Sequence, residues 1–308
     1  MIRRGLPLAA VLSVLTTAGC LTSGYASKPR VAVVDNDPIV QMAPPGKLAS
    51  LDDPTEVPVK KHNDPPFGKE QVVGMASENA ARMYPIGLLD DYEVINDDLH
   101  GTPYVVARCA LTDLTAVFDR RLGDRTLTFE NSGALWRDML VLRDRETGTY
   151  WTPATGKAIY GPLQGSQLAM IPAPVTTASA WEDLYPETVC LETGDLTAVS
   201  LNLRLYAASS WEGLSGGKIQ DLRFKPKERV FFVADGGDAL AFAGETVRKR
   251  KSIPESLAGA PITLEWDAAL RAPRAFTQVE GAKKEIPVVP IYWFAFVLQF
   301  PGARTLAP

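Results

Sequence analysis

The chain has 308 residues, of which 46% are hydrophobic and 22% charged, with three cysteines, two histidines and a formal net charge of -4. That balance provides no basic face of the kind nucleic-acid binding requires, and two histidines make a His-based zinc site a poor reading. Twenty-four prolines and 24 glycines favour short strands joined by tight turns over a helical bundle.

Residues 1–19 read as a signal peptide: "MIRR" supplies a positive start, and "GLPLAAVLSVLTTAG" is an apolar run too short to span a bilayer. "TAGC" resembles the lipobox of bacterial lipoproteins, cleaved before a cysteine whose thiol is then acylated. Thr17 stands where Leu is usual, so plain secretion is the alternative. The expectation is an exported protein of the bacterial cell envelope whose membrane partner is reached through a lipid anchor on Cys20. Residues 20–67, rich in Pro, Asp and Lys and without apolar periodicity, read as a tether and extended arm.

From Gln71 the texture changes. "QVVGMA", "TPYVVARC", "LTAVFDRR", "RTLTFEN", "DMLVLRD" and "KAIYGPL" predict strands, with hairpin turns at "RRLGDR" and "RETGTY" and a short helix over Thr176–Leu184. Helical crossovers of adequate length are missing, so the fold class expected is mainly β, in antiparallel hairpins with a few short helices.

A second copy follows. "KEQVVGMASENAARMY" from Lys69 aligns without gaps to "KERVFFVADGGDALAF" from Lys227, and "LHGTPYVVARCALTDLTAVF" from Leu99 to "LAGAPITLEWDAALRAPRAF" from Leu257, both at an offset of 158. "SAWEDLYPETVCL" echoes "AFVLQFPGARTL" at an offset of 115, so the second copy has lost about 43 residues, roughly the hairpins between Thr126 and Leu168. The division expected is a first β-rich copy over 68–192, then a connector and trimmed second copy over 193–308, packed as one body.

"LDDP", "ARMYPIGLLDDYEVINDDLHGTP", "AVFDRR", "LTFENSGALWRDMLVLRDRETGTYW", "TGKAIYGPLQGSQL" and "WEDLYP" together resemble the uncharacterised bacterial and archaeal family catalogued as domain of unknown function 3179. The resemblance spans about Leu51–Leu191 and brings no established activity. Members usually carry a His before the Glu of the "EVIND"-like stretch and a C-P-L-C motif. Here Tyr92 precedes Glu93, and the motif reads Cys109-Ala110-Leu111-Thr112, so a His–dithiol metal or redox site is unavailable.

Three readings of Cys109 stay open: a buried free thiol, a disulfide with Cys190 in an exported chain, or a reactive thiol. Arg108 is adjacent, but on a strand it points to the opposite face. "DDYEVINDDLH" concentrates acid without the EF-hand spacing and reads first as a solvated turn. Ser132 lacks the G-x-S-x-G elbow, and only His62 and His100 could serve as its base. "GLSGGK" lacks phosphate-loop spacing, and "IYWFAFVLQF" reads as core. The expected role is binding or structural, with any site in the first copy around Glu93, Asn96, Asp97, Cys109 and Ser132. No cofactor and no metal ligand set is implied, and the ligand or protein partner is not disclosed. The alternative is a divergent enzyme or metal/redox protein using Glu93, Asp97 and Cys109.

Overall fold

The computed structural model describes residues 28–59, 67–191, 201–215 and 218–306; the signal segment, Cys20 and His62 lie outside the described residues. The fold is mainly β, built of sheets whose strands pair mostly antiparallel, with five short α-helices among the described residues. The arm contributes β1 (Arg30–Val34), β2 (Asp37–Gln41), β3 (Leu51–Asp52) and β4 (Glu56–Pro58). A first run follows: β5 (Gln71–Ala76), β6 (Ala81–Pro85), α1 (Ile86–Asp91), β7 (Val94–Leu99), β8 (Thr102–Cys109) and β9 (Leu114–Asp119).

Hairpins come next, as β10 (Arg121–Leu122), β11 (Arg125–Thr126), β12 (Phe129–Trp136), β13 (Met139–Asp144), β14 (Tyr150–Thr152) and β15 (Lys157–Tyr160). The first run closes with β16 (Met170–Ile171), β17 (Val175–Thr177), α2 (Ala178–Leu184) and β18 (Val189–Leu191). Thr177 caps α2, its side chain accepting from Ala180 N at 3.3 Å. After α3 (Leu201–Ala208) the second run is β19 (Arg229–Asp235), β20 (Asp238–Phe242), α4 (Gly244–Arg250), β21 (Ser252–Leu257) and β22 (Ala260–Asp267). It ends with β23 (Ala272–Val279), β24 (Ala282–Ile286), β25 (Val289–Tyr292), α5 (Trp293–Gln299) and β26 (Arg304–Thr305).

The two runs share element order and strand pairing. One sheet runs β17-β5-β6-β18-β4 and its counterpart β25-β19-β20-β26. In each, the strand after the helix pairs in parallel: β18 with β6, β26 with β20. β5 and β19 begin at Gln71 and Arg229, and β8 and β22 at Thr102 and Ala260, 158 positions apart in both cases. α2 and α5 begin at Ala178 and Trp293, 115 apart, because the second run has no counterpart of the β12–β15 hairpins.

Each run buries its sheet against its own meander. Val73, Tyr84, Ile95 and Val106 form one such cluster, and Val233, Phe242, Ile253 and Leu264 the other. The largest core joins three layers: the far face of β7–β9 (Val105, Cys109, Phe118), the inserted hairpins (Phe129, Leu140, Trp151) and the second run (Phe232, Trp293, Phe296). "IYWFAFVLQF" therefore seals the second run to the first, as β25 and α5. The arm adds β3 to β7, β4 to β18 and β2 to β12.

The acidic stretch differs from expectation. It is not a solvated turn but the end of α1 and the strand β7, with Asp90, Glu93, Asn96 and Asp97 all buried. The apolar run "ARMYPIGLL" before it forms β6 and α1, which carries the acids into the interior.

Candidate functional site

Glu93 leads into β7 and Cys109 ends β8, and the ladder brings them side by side, Arg108 N donating to Glu93 O at 2.8 Å. Opposite them β12 bulges between Asn131 and Leu135. Asn131 Nδ2 donates to Glu93 Oε2 at 2.5 Å, and Leu140 N donates to Cys109 Sγ at 3.4 Å. Glu93, Cys109 and Asn131 line a cavity of about 30 Å³ together with Met42, Leu111 and Leu214.

The arm forms its roof. Met42 N and Ala43 N donate to Gly133 O at 2.8 and 2.9 Å, and Gly46 N to Asn131 O at 2.9 Å. Gly133 has φ 67°, and a Cβ there would lie 2.1 Å from Ala43 O, so the approach requires glycine.

Burial pushes the Glu93 carboxyl up to about 8, against the opposing bond from Asn131. Burial, then the neighbouring Glu93 charge, pushes the Cys109 thiol up to about 11. At neutral pH the pair is a neutral acid beside a neutral thiol, the reverse of the electropositive, accessible setting that activates a cysteine. Cys190 is also free and buried, in a separate cluster with Trp181 and Met83, so the disulfide weighed from the sequence is not formed.

The other candidates do different work. Asp97 faces the opposite side of the sheet, where Tyr84 OH donates to Asp97 Oδ2 at 2.6 Å and Arg82 pairs with both Asp97 and Glu56. Burial, with the charges of Tyr104 and Asp97, lifts Tyr84 well above the usual phenol range. Asn96 ties β7 to β12, donating to Phe129 O at 2.7 Å and accepting from Phe129 N at 2.8 Å. Ser132 Oγ donates to Val141 O at 2.5 Å and accepts from Ala134 N at 3.1 Å, bridging the bulge while fully buried. His100 is an exposed turn residue at φ 52°. Thr112, where the family's second cysteine would stand, closes the β8–β9 turn, its N–H donating to Cys109 O at 3.2 Å. Among the described residues no three His, Cys, Asp or Glu side chains are grouped to share a metal ion.

Two features escaped the sequence. One is a buried charge lattice: Arg108 donates to Asp90 Oδ1 at 2.9 Å and to Asp113 Oδ1 at 2.8 Å, and Arg229 from the second run donates to the same Asp113 oxygen at 2.8 Å. Burial works against the charge of Asp113, yet the two guanidiniums hold it below the usual carboxylate range, whereas burial wins at Asp90 and raises it. The sequence signal was the alternation that turns Arg108 away from Cys109; its partners were not readable. The other is an open cleft of about 580 Å³ between the inserted hairpins and the second run, lined by Trp136, Arg137, Lys157, Gly236, Gly237 and Arg304 among others.

No curated protein and no solved structure matches the chain. A family model does match, over residues 46–289, and the chain belongs to the family it describes, "Protein of unknown function (DUF3179)".

Proposed function

We propose that this is an exported protein of the bacterial cell envelope, anchored through a lipid on Cys20, with a binding role. The observation that supports binding over thiol chemistry is the contrast between two places in the fold. The Glu93–Cys109 pair is roofed by the arm around a cavity of about 30 Å³, while a cleft of about 580 Å³ stands open elsewhere. The anchor is supported by "TAGC" after a short apolar run. The two runs of elements, in this reading, are unequal copies of one unit. Expression of the full chain in a bacterial host, followed by fractionation and mass analysis, tests the reading. A membrane-associated chain that begins at an acylated Cys20, and is released by Cys20→Ser, supports it. An uncleaved chain in the cytosol would remove it.

One observation favours the rival enzymatic reading. Glu93, raised to about 8, could exchange a proton near neutrality beside Cys109. That role requires a substrate to pass the arm, so native-state reactivity of Cys109 separates the two.

A further inference from the structure

The stretch between β18 and β19 belongs to neither repeated set of strands, and its surface is unusually apolar. A surface helix ordinarily turns polar residues to solvent. α3 turns Leu203 and Tyr206 inward, yet its outer face carries Leu205, Ala207 and Ala208 beside Arg204. Leu205 is 60% exposed, and Trp211, just past the helix, is 48% exposed. The other five tryptophans are covered: Trp136, Trp151, Trp181 and Trp293 are buried and Trp266 is half-buried. Seven large apolar side chains stand exposed among the described residues. Four are scattered, as is normal on any surface, but Leu205, Trp211 and Leu222 fall together in this one stretch.

Hydrogen bonds hold the stretch as one piece. Ser209 Oγ, after α3, accepts from Trp211 N at 3.2 Å and from Lys227 Nζ at 3.1 Å. Trp293 N donates to Glu228 O at 3.0 Å, and its indole N–H to Asp221 O at 2.8 Å, which brings Leu222 to the same neighbourhood. The charge is one-sided. Residues 204–227 contain five cations, Arg204, Lys218, Arg223, Lys225 and Lys227, against the carboxylates Glu212 and Asp221, in a chain of formal charge -4. Both acids are engaged: Glu212 Oε2 accepts from Ile219 N at 2.7 Å, and Asp221 pairs with Arg223 at 2.6 Å. Arg204, Lys218 and Lys225 are exposed.

The place where the chain enters the body identifies what meets this surface. Pro29 O accepts from Gln41 N at 2.8 Å. The next residue, Met42, lines the small cavity with Leu214, and Leu48 clusters with Leu203 of α3. The arm therefore enters next to the segment that carries Trp211. Eight residues, 20–27, precede Lys28. Fully extended they reach at most about 30 Å. A chain of this length has a radius of gyration of roughly 19 Å, a body about 50 Å across. An anchor on Cys20 thus holds this side of the body, rather than the far one, against the bilayer.

We propose that the outer face of α3 and Trp211 rest on the bilayer that carries the anchor. Leu205 and Trp211 enter the boundary between headgroups and acyl chains, where an indole is well suited by its apolar body and polar N–H. Arg204, Lys218 and Lys225 meet anionic headgroups. The proposal deepens the binding reading by giving it a partner surface, and it rests on the Cys20 anchor.

The test is tryptophan quenching of the mature, acylated chain in vesicles of phosphatidylethanolamine and phosphatidylglycerol, with and without bromine on the acyl chains. The wild type loses emission in the brominated vesicles. Trp211→Phe, which removes the one exposed indole, abolishes that loss. Leu205→Ser reduces it, and so does exchanging phosphatidylglycerol for phosphatidylcholine. An anchored chain with no quenching, or with the same quenching in Trp211→Phe, would overturn the proposal and leave the anchor standing. An anchored chain whose Trp211 is untouched by bromine yet shielded from aqueous iodide would give this surface to a protein partner, and would overturn it equally. A chain without an acyl group that stays off the vesicles would remove the proposal and the anchor together.

Discussion

Gln71 and Arg229 are the first residues of β5 and β19, equivalent positions in the two runs, and they touch: Arg229 Nη1 donates to Gln71 Oε1 at 2.8 Å. The halves therefore meet about their own corresponding edges, and the exchange around that contact is reciprocal. The first run's β8–β9 turn packs Leu111 and Leu114 with Val230, Phe232 and Ile291 of the second. The second run's β22–β23 turn returns Leu270 and Ala272 onto Val72, Met83 and Trp181 of the first. Polar contacts repeat the exchange, Tyr292 N donating to Thr112 O at 2.7 Å and Thr176 Oγ1 bonding to Leu270 O.

Arg229 is the charged member of this contact, and its removal leaves Asp113 buried with half its compensation. Arg229→Met is expected to cost about 2–4 kcal/mol, the lower half being favoured because Arg229 is partly exposed. Asp113 is held below its unfolded value, so the stability it contributes is present above that value and lost as pH falls toward the folded one. The deficit of Arg229→Met, read from urea midpoints, should accordingly shrink in acid. An equal deficit at pH 7 and in acid would contradict the pairing.

Glu93 carries the opposite sign. Its folded pKa is raised from 4.5 to about 8, so the folded state retains a proton that the unfolded chain has released across that window. Its contribution to stability is therefore most favourable below 4.5 and declines as pH rises toward 8. Glu93→Gln preserves the acceptor for Asn131 and removes the titration. It should match wild type near pH 5 and exceed it by on the order of 1–3 kcal/mol near pH 8.5. Parallel pH profiles for the two proteins would show that Glu93 is not held neutral.

Gly74 lies beneath Trp181, and a Cβ there would come within 2.2 Å of the indole ring, which is itself fully buried. Gly74→Ala should displace Trp181 and cost about 1–3 kcal/mol, with a change in tryptophan fluorescence. Wild-type stability and emission would mean that the ring has room to move.

The strands were readable where a β-rich run ended in a turn residue: "TPYVVARC" is β8 to the residue, and "DMLVLRD" is β13 with one residue more. The 158-residue offset seen in the sequence is also the spacing between the first residues of β5 and β19 and of β8 and β22. Grouping Glu93 with Cys109 was possible because both lie at one end of the β7–β8 hairpin. Asp97 does not join them, since two-residue alternation turns Ile95 and Asp97 to the face away from Val94 and Asn96. Asn131 is next to Ser132 in the sequence, and it meets Glu93 at the start of the β12 bulge. The cleft could not be read at all, since its walls draw on residues from Val34 to Arg304.

Cys109 is buried beneath the arm with its thiol pushed up to about 11, and is expected to be chemically silent at neutral pH. The direct test is thiol labelling of the native protein at pH 7, located by peptide mass, with Gly133→Ala alongside wild type. Cys109 and Cys190 should stay unlabelled in the native wild type and both react in denaturant. In Gly133→Ala, where the added Cβ collides with Ala43 O, Cys109 alone should become reactive in the native state. Rapid native labelling of wild-type Cys109, or failure of both thiols to react in denaturant, would contradict the account.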